Sequence, residues 1–569
     1  MVLLVGASAA AAKEPQTVTL AWVPAGTTVQ QLADAGFSPG LMSAGLGKVS
    51  AEQTYLDIGQ GNRVFNSLYD EPLPEFDGDR QGWWKAVVKR AESAPAEIVP
   101  GLLTSALVKA GVRSFDVRSS ALSGLAPAAE DLSDDDLLIA IARPSGESDA
   151  PLAIGIAGRD FDGNLTSDST RTDGYVLSTD VAPTILDRFG AEIPAEMSGQ
   201  PIRSEGSVDV AAIESLGGRM GVISHRRGPV IGLSLLAWIV ALGLTVALSK
   251  GALARPAVRT VGLSVIYMPL VMLLGAAIEP GESAEVLLVM LGAPLLAALT
   301  LVLLRGYRAL AAAAALTVAA YAIDLIAGSP LTSLSLLGPN PGLGVRFYGI
   351  GNELEALLAV LVVAGTGAGI AGFLPGLDRR RAAAVFVVLG LLAAFVFAAG
   401  RFGADVGAAI VFPIGAVVAA VAIAGRGRRV GLLVVIAAPF AMLALLVLID
   451  LVSGANAHLT RSVLDAGGLG DLSDVAQRRL QLSAHSFARP VLLIFLPVVA
   501  ILALLAFLRR DRLRAWVREV PAVRAGLLGA LAATVVGTLA NDSGALILEI
   551  GTAYLLVFAG FAWAESRGR

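Results

Sequence analysis

Charged and amide side chains gather at four places in an otherwise apolar stretch of this chain. The first is Gly338–Glu355, GPNPGLGVRFYGIGNELE; the second is Gly400–Asp405, GRFGAD. The third is NDSG at Asn541–Gly544, and the fourth is a polar connection at 453–489 with His458, Arg461, Arg478, Arg479, His485 and Arg489. Each adjoins an apolar block long enough to cross a bilayer. Ionisable groups at that depth are costly and normally face a polar cavity. The guanidinium fork suits phosphate and carboxylate. A carboxylate beside it can take a proton from an attacking hydroxyl. The reading is therefore a polar site with Asp405 and Glu353 as catalytic carboxylates. Arg346, Tyr348, Asn352, Arg401, Asn541 and Asp542 would bind the substrate, and Glu355 lies at similar depth. The plainer alternative pairs Glu353 and Asp405 with Arg346 and Arg401 as ion pairs that lock helices together. His458 and His485 read as solvated loop residues. Asp324 and Glu549 lie within spans and would extend a polar path inward.

The elements that must position these residues are membrane helices. Of 569 residues, 55% are hydrophobic and 16% charged. Mean hydropathy is +0.70. Soluble chains carry about 25% charged residues, so a single soluble enzyme is excluded. Apolar blocks begin near residue 226. They read as about eleven spans: 229–249, 259–278, 284–304, 308–327, 353–374, 382–399, 404–424, 430–452, 490–508, 523–540 and 544–563. Basic residues fall in alternate connections: Lys250, Arg255 and Arg259; Arg305 and Arg308; Arg379–Arg381; Arg426, Arg428 and Arg429; Arg509–Arg518. By the bias of basic loops toward the inside, these are cytoplasmic, as is the C-terminus. Residues 13–225 and all four polar motifs then lie outside the cytoplasm. The expected location is the plasma membrane. The net charge of −4 gives no basic surface for nucleic acid. With no Cys, disulfides and thiolate chemistry are excluded.

The first 225 residues alternate short apolar runs with polar, Gly and Pro positions. Residues 1–12 are apolar and small, and read as the remnant of a signal peptide or anchor, with the true start upstream. Thr17–Val23 reads as a buried strand, Thr28–Ala35 as a helix, Glu97–Ala110 as a helix, 112–117 as a strand, and Leu137–Ala142 as a buried strand. This alternation predicts an α/β sandwich on a mostly parallel sheet. Ser50–Arg63 reads as a polar loop packing one face of that sandwich, or as a ligand-binding loop.

The segment Ser178–Ile202, STDVAPTILDRFGAEIPAEMSGQPI, is similar to the C-terminal signature of the alkaline phosphatase/sulfatase superfamily. GLLTSALVKAGVRSFDV also resembles a helix–strand unit of that fold. The resemblance covers about residues 15–205. It implies an alkaline-phosphatase-like α/β fold, two metals held by Asp and His, and a Ser or Thr nucleophile. Those ligands are missing: the first strand runs into Val23-Pro24-Ala25-Gly26, and Leu137–Ala142 into Arg143-Pro144-Ser145, with no His before His225. Thr27 and Thr28 stand near the nucleophile position with nothing to activate them. The expectation is a degenerate, inactive domain with no metal and no cofactor. Its union with a membrane half bearing FYGIGNE resembles a set of Gram-positive envelope membrane proteins of unassigned activity.

Three functions fit these residues. The first is an envelope transferase acting on a lipid-linked anionic precursor, with membrane lipid and envelope proteins as partners. The second is a non-catalytic assembly factor or scaffold. The third is a transporter or flippase of an anionic or lipid-linked solute, which requires Asp324 and Glu549 on one cavity with Asp405.

Overall fold

Val18–Val23 (β1) and Leu137–Ala142 (β4) are β-rich runs of six residues, and they pair in parallel, Val18 opposite Leu137. The computed structural model describes residues 17–425, 508–541 and 543–566, apart from 77, 95, 113, 131 and 134, with scattered single residues between 437 and 506. The expected spans at 430–452 and most of 490–508, the connection 453–489 and Asp542 lie outside the described residues. The described chain divides into two units. One comprises the residues up to Gly221 plus Pro341–Phe347; the other comprises Val222–Asn340 and Tyr348 onward.

The first unit is α/β. Around β1 and β4 stand Ser38–Ser43 (β2), Phe115–Ser119 (β3), Leu152–Gly158 (β5) and Tyr175–Leu177 (β7), in the order β3-β1-β4-β5-β2-β7. The sheet is mixed: β5 is antiparallel to both β4 and β2, while the other pairs are parallel. Asn164–Ser167 (β6) and Ile202–Glu205 (β8) form a separate antiparallel pair. β4 is buried along its whole length, because strands flank it and layers cover both faces. Leu20, Ile139, Ile154, Ile156 and Val176 from the sheet pack with Leu103, Leu107, Ile185 and Leu186 from the helices.

Helices Val29–Asp34 (α1), Ala51–Gln60 (α2), Arg80–Glu92 (α3), Leu102–Lys109 (α4), Ala126–Glu130 (α5) and Val181–Arg188 (α6) complete this unit. Thr28 caps α1 in a capping box with Gln31, and the Thr27 hydroxyl donates to the Pro24 carbonyl at 2.8 Å. Both hydroxyls near the expected nucleophile position thus hold a turn. Two elements depart from the sequence reading. α4 begins at 102 because Pro100 ends the preceding chain and Gly101 sits at φ +78°. Residues 51–60 form helix α2 instead of a loop, with Ser50 as N-cap and Gly61 in the left-handed region at its end.

The 178–202 signature acts as a set of staples. Asp180 is wholly buried. It accepts hydrogen bonds from the Ser167 hydroxyl (2.7 Å), the Ser169 hydroxyl (2.6 Å), Leu177 N (2.9 Å) and Gln200 N (3.0 Å). Burial pushes its carboxyl pKa up, and these four donors pull against that. The Thr184 hydroxyl donates to Asp180 O and accepts from Ile202 N at 2.8 Å, tying α6 to β8.

The second unit is helical. Val210–Leu248 (α7) is one helix whose later part belongs here. There follow Ala254–Ile278 (α8), Glu282–Leu303 (α9), Tyr307–Ile326 (α10), Asn352–Phe373 (α11), Arg379–Ala398 (α12), Val406–Ala424 (α13), Arg510–Trp516 (α14), Pro521–Ala540 (α15) and Gly544–Glu565 (α16). Among the described residues, nine helices are long and apolar enough to cross a membrane, as a multi-pass membrane protein requires. Backbone groups freed inside such a bundle need partners. Pro269 in α8 lacks the N–H that would bond Val265 O, and the Tyr554 hydroxyl of α16 donates there at 3.1 Å. The Tyr321 and Thr317 hydroxyls of α10 also donate into α8, to Pro269 O and Ile266 O.

Asp180→Ala would strand the buried Ser167 hydroxyl and Leu177 N–H, and the part-buried Ser169 hydroxyl and Gln200 N–H. We expect a loss of at least about 3 kcal/mol in the α/β unit. Amide-exchange protection of Leu137–Ala142 in the intact protein measures it; unchanged protection would refute the stapling role.

Candidate functional site

The connections α8–α9, α10–α11, α12–α13 and α15–α16 emerge at one end of the helical unit, and buried carboxylates organise them. After α10, Asp324 accepts from Leu331 N (3.0 Å) and Thr332 N (2.7 Å), which folds the chain back on itself. The Ser329 hydroxyl of that turn accepts from Gly349 N at 3.2 Å. The next residue, Ile350, donates its N–H to Gly403 O at 2.9 Å. The FYGIGNE and GRFGAD motifs therefore lie side by side.

A third motif joins through Glu355. This residue, in the first turn of α11, is wholly buried. Asn541 at the C-terminus of α15 donates its amide to Glu355 Oε2 at 2.6 Å. Gly407 in α13 makes room: a Cβ there would lie 2.6 Å from the same oxygen. Asp405 is 5% exposed and caps α13, accepting from Ala408 N at 3.2 Å. Asn352 and Tyr348 are half-buried beside these groups in the chain, and Arg401 is exposed on the α12–α13 connection.

Glu353 departs from the expected pairing. Its partner is Arg227 of α7, Nη1 to Oε1 at 3.1 Å. Arg227 also donates from Nη2 to Gly338 O at 2.7 Å. Arg346 falls in the 341–347 segment, which groups with the α/β unit. The neighbouring Arg226 bonds Glu285 of α9 at 3.1 Å and Pro280 O at 2.8 Å. The signal for both arginines was present in the sequence: a basic pair directly before an apolar span. Asp324 serves its own turn, as above. Glu549 lies in α16, half-buried, and its Oε1 has no hydrogen-bond partner among the described residues.

The α/β unit holds a second polar cluster, around α2. Asp57 is buried and accepts from Gln53 (2.8 Å) and Gln60 (3.0 Å). Arg63 and Arg90 flank it, and burial nevertheless pushes its pKa up to about 7. Arg90 lies 3.5 Å over the Tyr69 ring and donates to Gln53 Oε1. Arg63 binds the Ser43 hydroxyl at 3.0 Å and Gly45 O at 3.2 Å. Burial pushes the Tyr175 hydroxyl up to about 12. Among the described residues, no group of three or more His, Asp or Glu side chains is placed to hold a metal.

The two units thus define an α/β domain joined to a polytopic helical domain with a polar end. Comparison with family models, with curated proteins and with solved structures finds no match.

The raised pKa of Asp57 fixes a pH dependence. The folded state favours the protonated carboxyl, so its contribution is full below the unfolded pKa near 4. It is lost as pH rises through about 7. Asp57→Asn cannot ionise. Its unfolding temperature should therefore gain on that of the wild type between pH 4 and pH 7, by on the order of 2–4 kcal/mol in stability. A gap that stays constant over this range would count against the assignment.

Proposed function

We propose that the chain is an integral membrane protein of the cell envelope. It would carry an alkaline-phosphatase-like outer domain without phosphatase chemistry, about eleven spans, and a polar site at the outer end of the bundle. The site would take the anionic group of a lipid-linked precursor and work as a transferase. One observation carries this reading: the α10–α11, α12–α13 and α15–α16 connections gather around Glu355, Asn541, Asp405 and the Arg227–Glu353 pair. A merely structural bundle has no need to concentrate these costly groups at one end.

The residues divide the work as follows. Arg401 and Arg227 face the developing charge of the leaving phosphate. Glu353, paired to Arg227, orients that guanidinium and does not serve as the base. Asp405 takes the proton of an acceptor hydroxyl as its oxygen bonds to the transferred group and the lipid phosphate departs. Glu355 and Asn541 hold α11 to α15 beneath. The flippase reading is weaker, because Asp324 is spent on Leu331 and Thr332. The assembly-factor reading draws on the turn-bound hydroxyls of Thr27 and Thr28 in the α/β unit.

Native mass spectrometry of the gently purified protein tests the site. Wild type should carry an anionic lipid, and Arg401→Ala should lose it at least tenfold; equal retention overturns the site. Asp405→Asn keeps a good helix cap, so it should retain the lipid while failing to support envelope function in cells. Full function of that variant would favour the assembly factor.

A further inference from the structure

Arginine collects at the end of the helical unit away from the polar connections. The chain leading into α15 reads RRDRLRAWVRE over residues 509–519, five arginines against Asp511 and Glu519. Its middle forms the two-turn helix α14. Both ends of α14 are set off: Arg509 (φ −103°, ψ 14°) and Val517 (φ −111°, ψ 7°) leave helical geometry, and Pro521 opens α15. Arg509, Arg510, Arg512, Arg514 and Arg518 are all exposed. Arg514 bonds Asp511 at 3.2 Å, and the segment keeps a net positive charge.

One side of this helix is seated on the bundle. Val517 is 8% exposed and packs with Val523 at the start of α15 and Ala562 near the end of α16, with Tyr307 of α10 alongside. Trp516 is half-buried. At the same end Trp563 of α16 is also half-buried, with the Arg255 guanidinium 5.8 Å from its ring centre. Tryptophans so placed mark the level where acyl chains give way to headgroups. At about 3.6 residues per turn, Arg510 and Arg514 lie on one flank of the Trp516–Val517 side and Arg512 on the other. Basic residues bordering an apolar side are the arrangement of a helix that lies in a membrane interface.

We propose that α14 is an interfacial helix that binds anionic phospholipid headgroups. Arg510, Arg512 and Arg514 take the phosphate oxygens, Val517 fixes the helix to the bundle, and Trp516 stands beside the acyl chains. Basic residues satisfy the orientation bias from any inner loop; here a bundle-anchored helix presents them as a set. Its seven residues span about 10 Å, room for one or two headgroups and too little for a charged polymer. Each arginine of such a cluster favours anionic lipid by about fivefold. The site lies at the other end of the unit from Asp405 and Arg401, so it stands or falls apart from the transferase reading.

Trp516 is the reporter. The full-length protein is reconstituted in vesicles containing phosphatidylglycerol or phosphatidylcholine brominated in the acyl chains, and the emission that disappears in Trp516→Phe is followed. Bromine quenches at close range, so the two lipids differ only in headgroup. Wild type should prefer phosphatidylglycerol by at least about fivefold. Arg510→Gln, Arg512→Gln and Arg514→Gln together should bring the preference within about twofold of none. Quenching by brominated phosphatidylcholine should stay as in wild type, showing that α14 is still seated. Arg379→Gln, Arg380→Gln and Arg381→Gln at the start of α12 remove as much charge from the same end and should leave the preference unchanged. Should the α14 variant unseat the helix, the wild-type preference and the α12 variant still decide. No preference in wild type, or its loss in the α12 variant, overturns the site. Loss of the preference to inorganic phosphate at matched ionic strength would make the ligand a soluble phosphate and overturn it equally.

Discussion

A buried carboxylate must find its donors within reach, and at the polar end of the helical unit that requirement dictates the loops. Asp324 folds the chain after α10 by collecting two backbone N–H groups. Glu355 binds α11 to α15 through Asn541. Glu353 reaches Arg227 on α7. Packing holds the helices together, and the charges decide which connection meets which.

The α/β unit obeys the same rule with a different inventory. Asp180 gathers four donors from β6, β7 and the turn before β8. Asp57 is enclosed by amides and two guanidiniums, and the α2 helix exists to carry it there. The residues of the 178–202 segment serve as architecture in this structure. Asp180 and Thr184 staple strands to a helix, and Thr27 and Thr28 close a turn.

Ion pairs show where sequence reasoning stopped short. One reading paired Glu353 and Asp405 with Arg346 and Arg401, all drawn from the same polar motifs. In the structure Glu353 takes Arg227, which arrives from another helix. The Ser50–Arg63 segment shows the converse. Its cap residues Ser50 and Gly61 were in plain view, but its polar composition outweighed them. The cost of that choice was the Asp57 and Arg63 cluster, which only a helix can aim inward.

By itself the sequence determined the membrane helices, the α/β character of the first 225 residues, and the motifs at which polarity collects. Those follow from local quantities: hydropathy over about 20 residues, strand and helix periodicity, and the cost of charge in lipid. Tertiary structure alone decided that β5 runs against its neighbours, that Asn541 meets Glu355 across 186 residues of chain, and that residues 341–347 leave the bundle for the α/β unit. Each of these depends on which buried donor finds which acceptor, a choice settled by three-dimensional packing and carrying no period or composition along the chain.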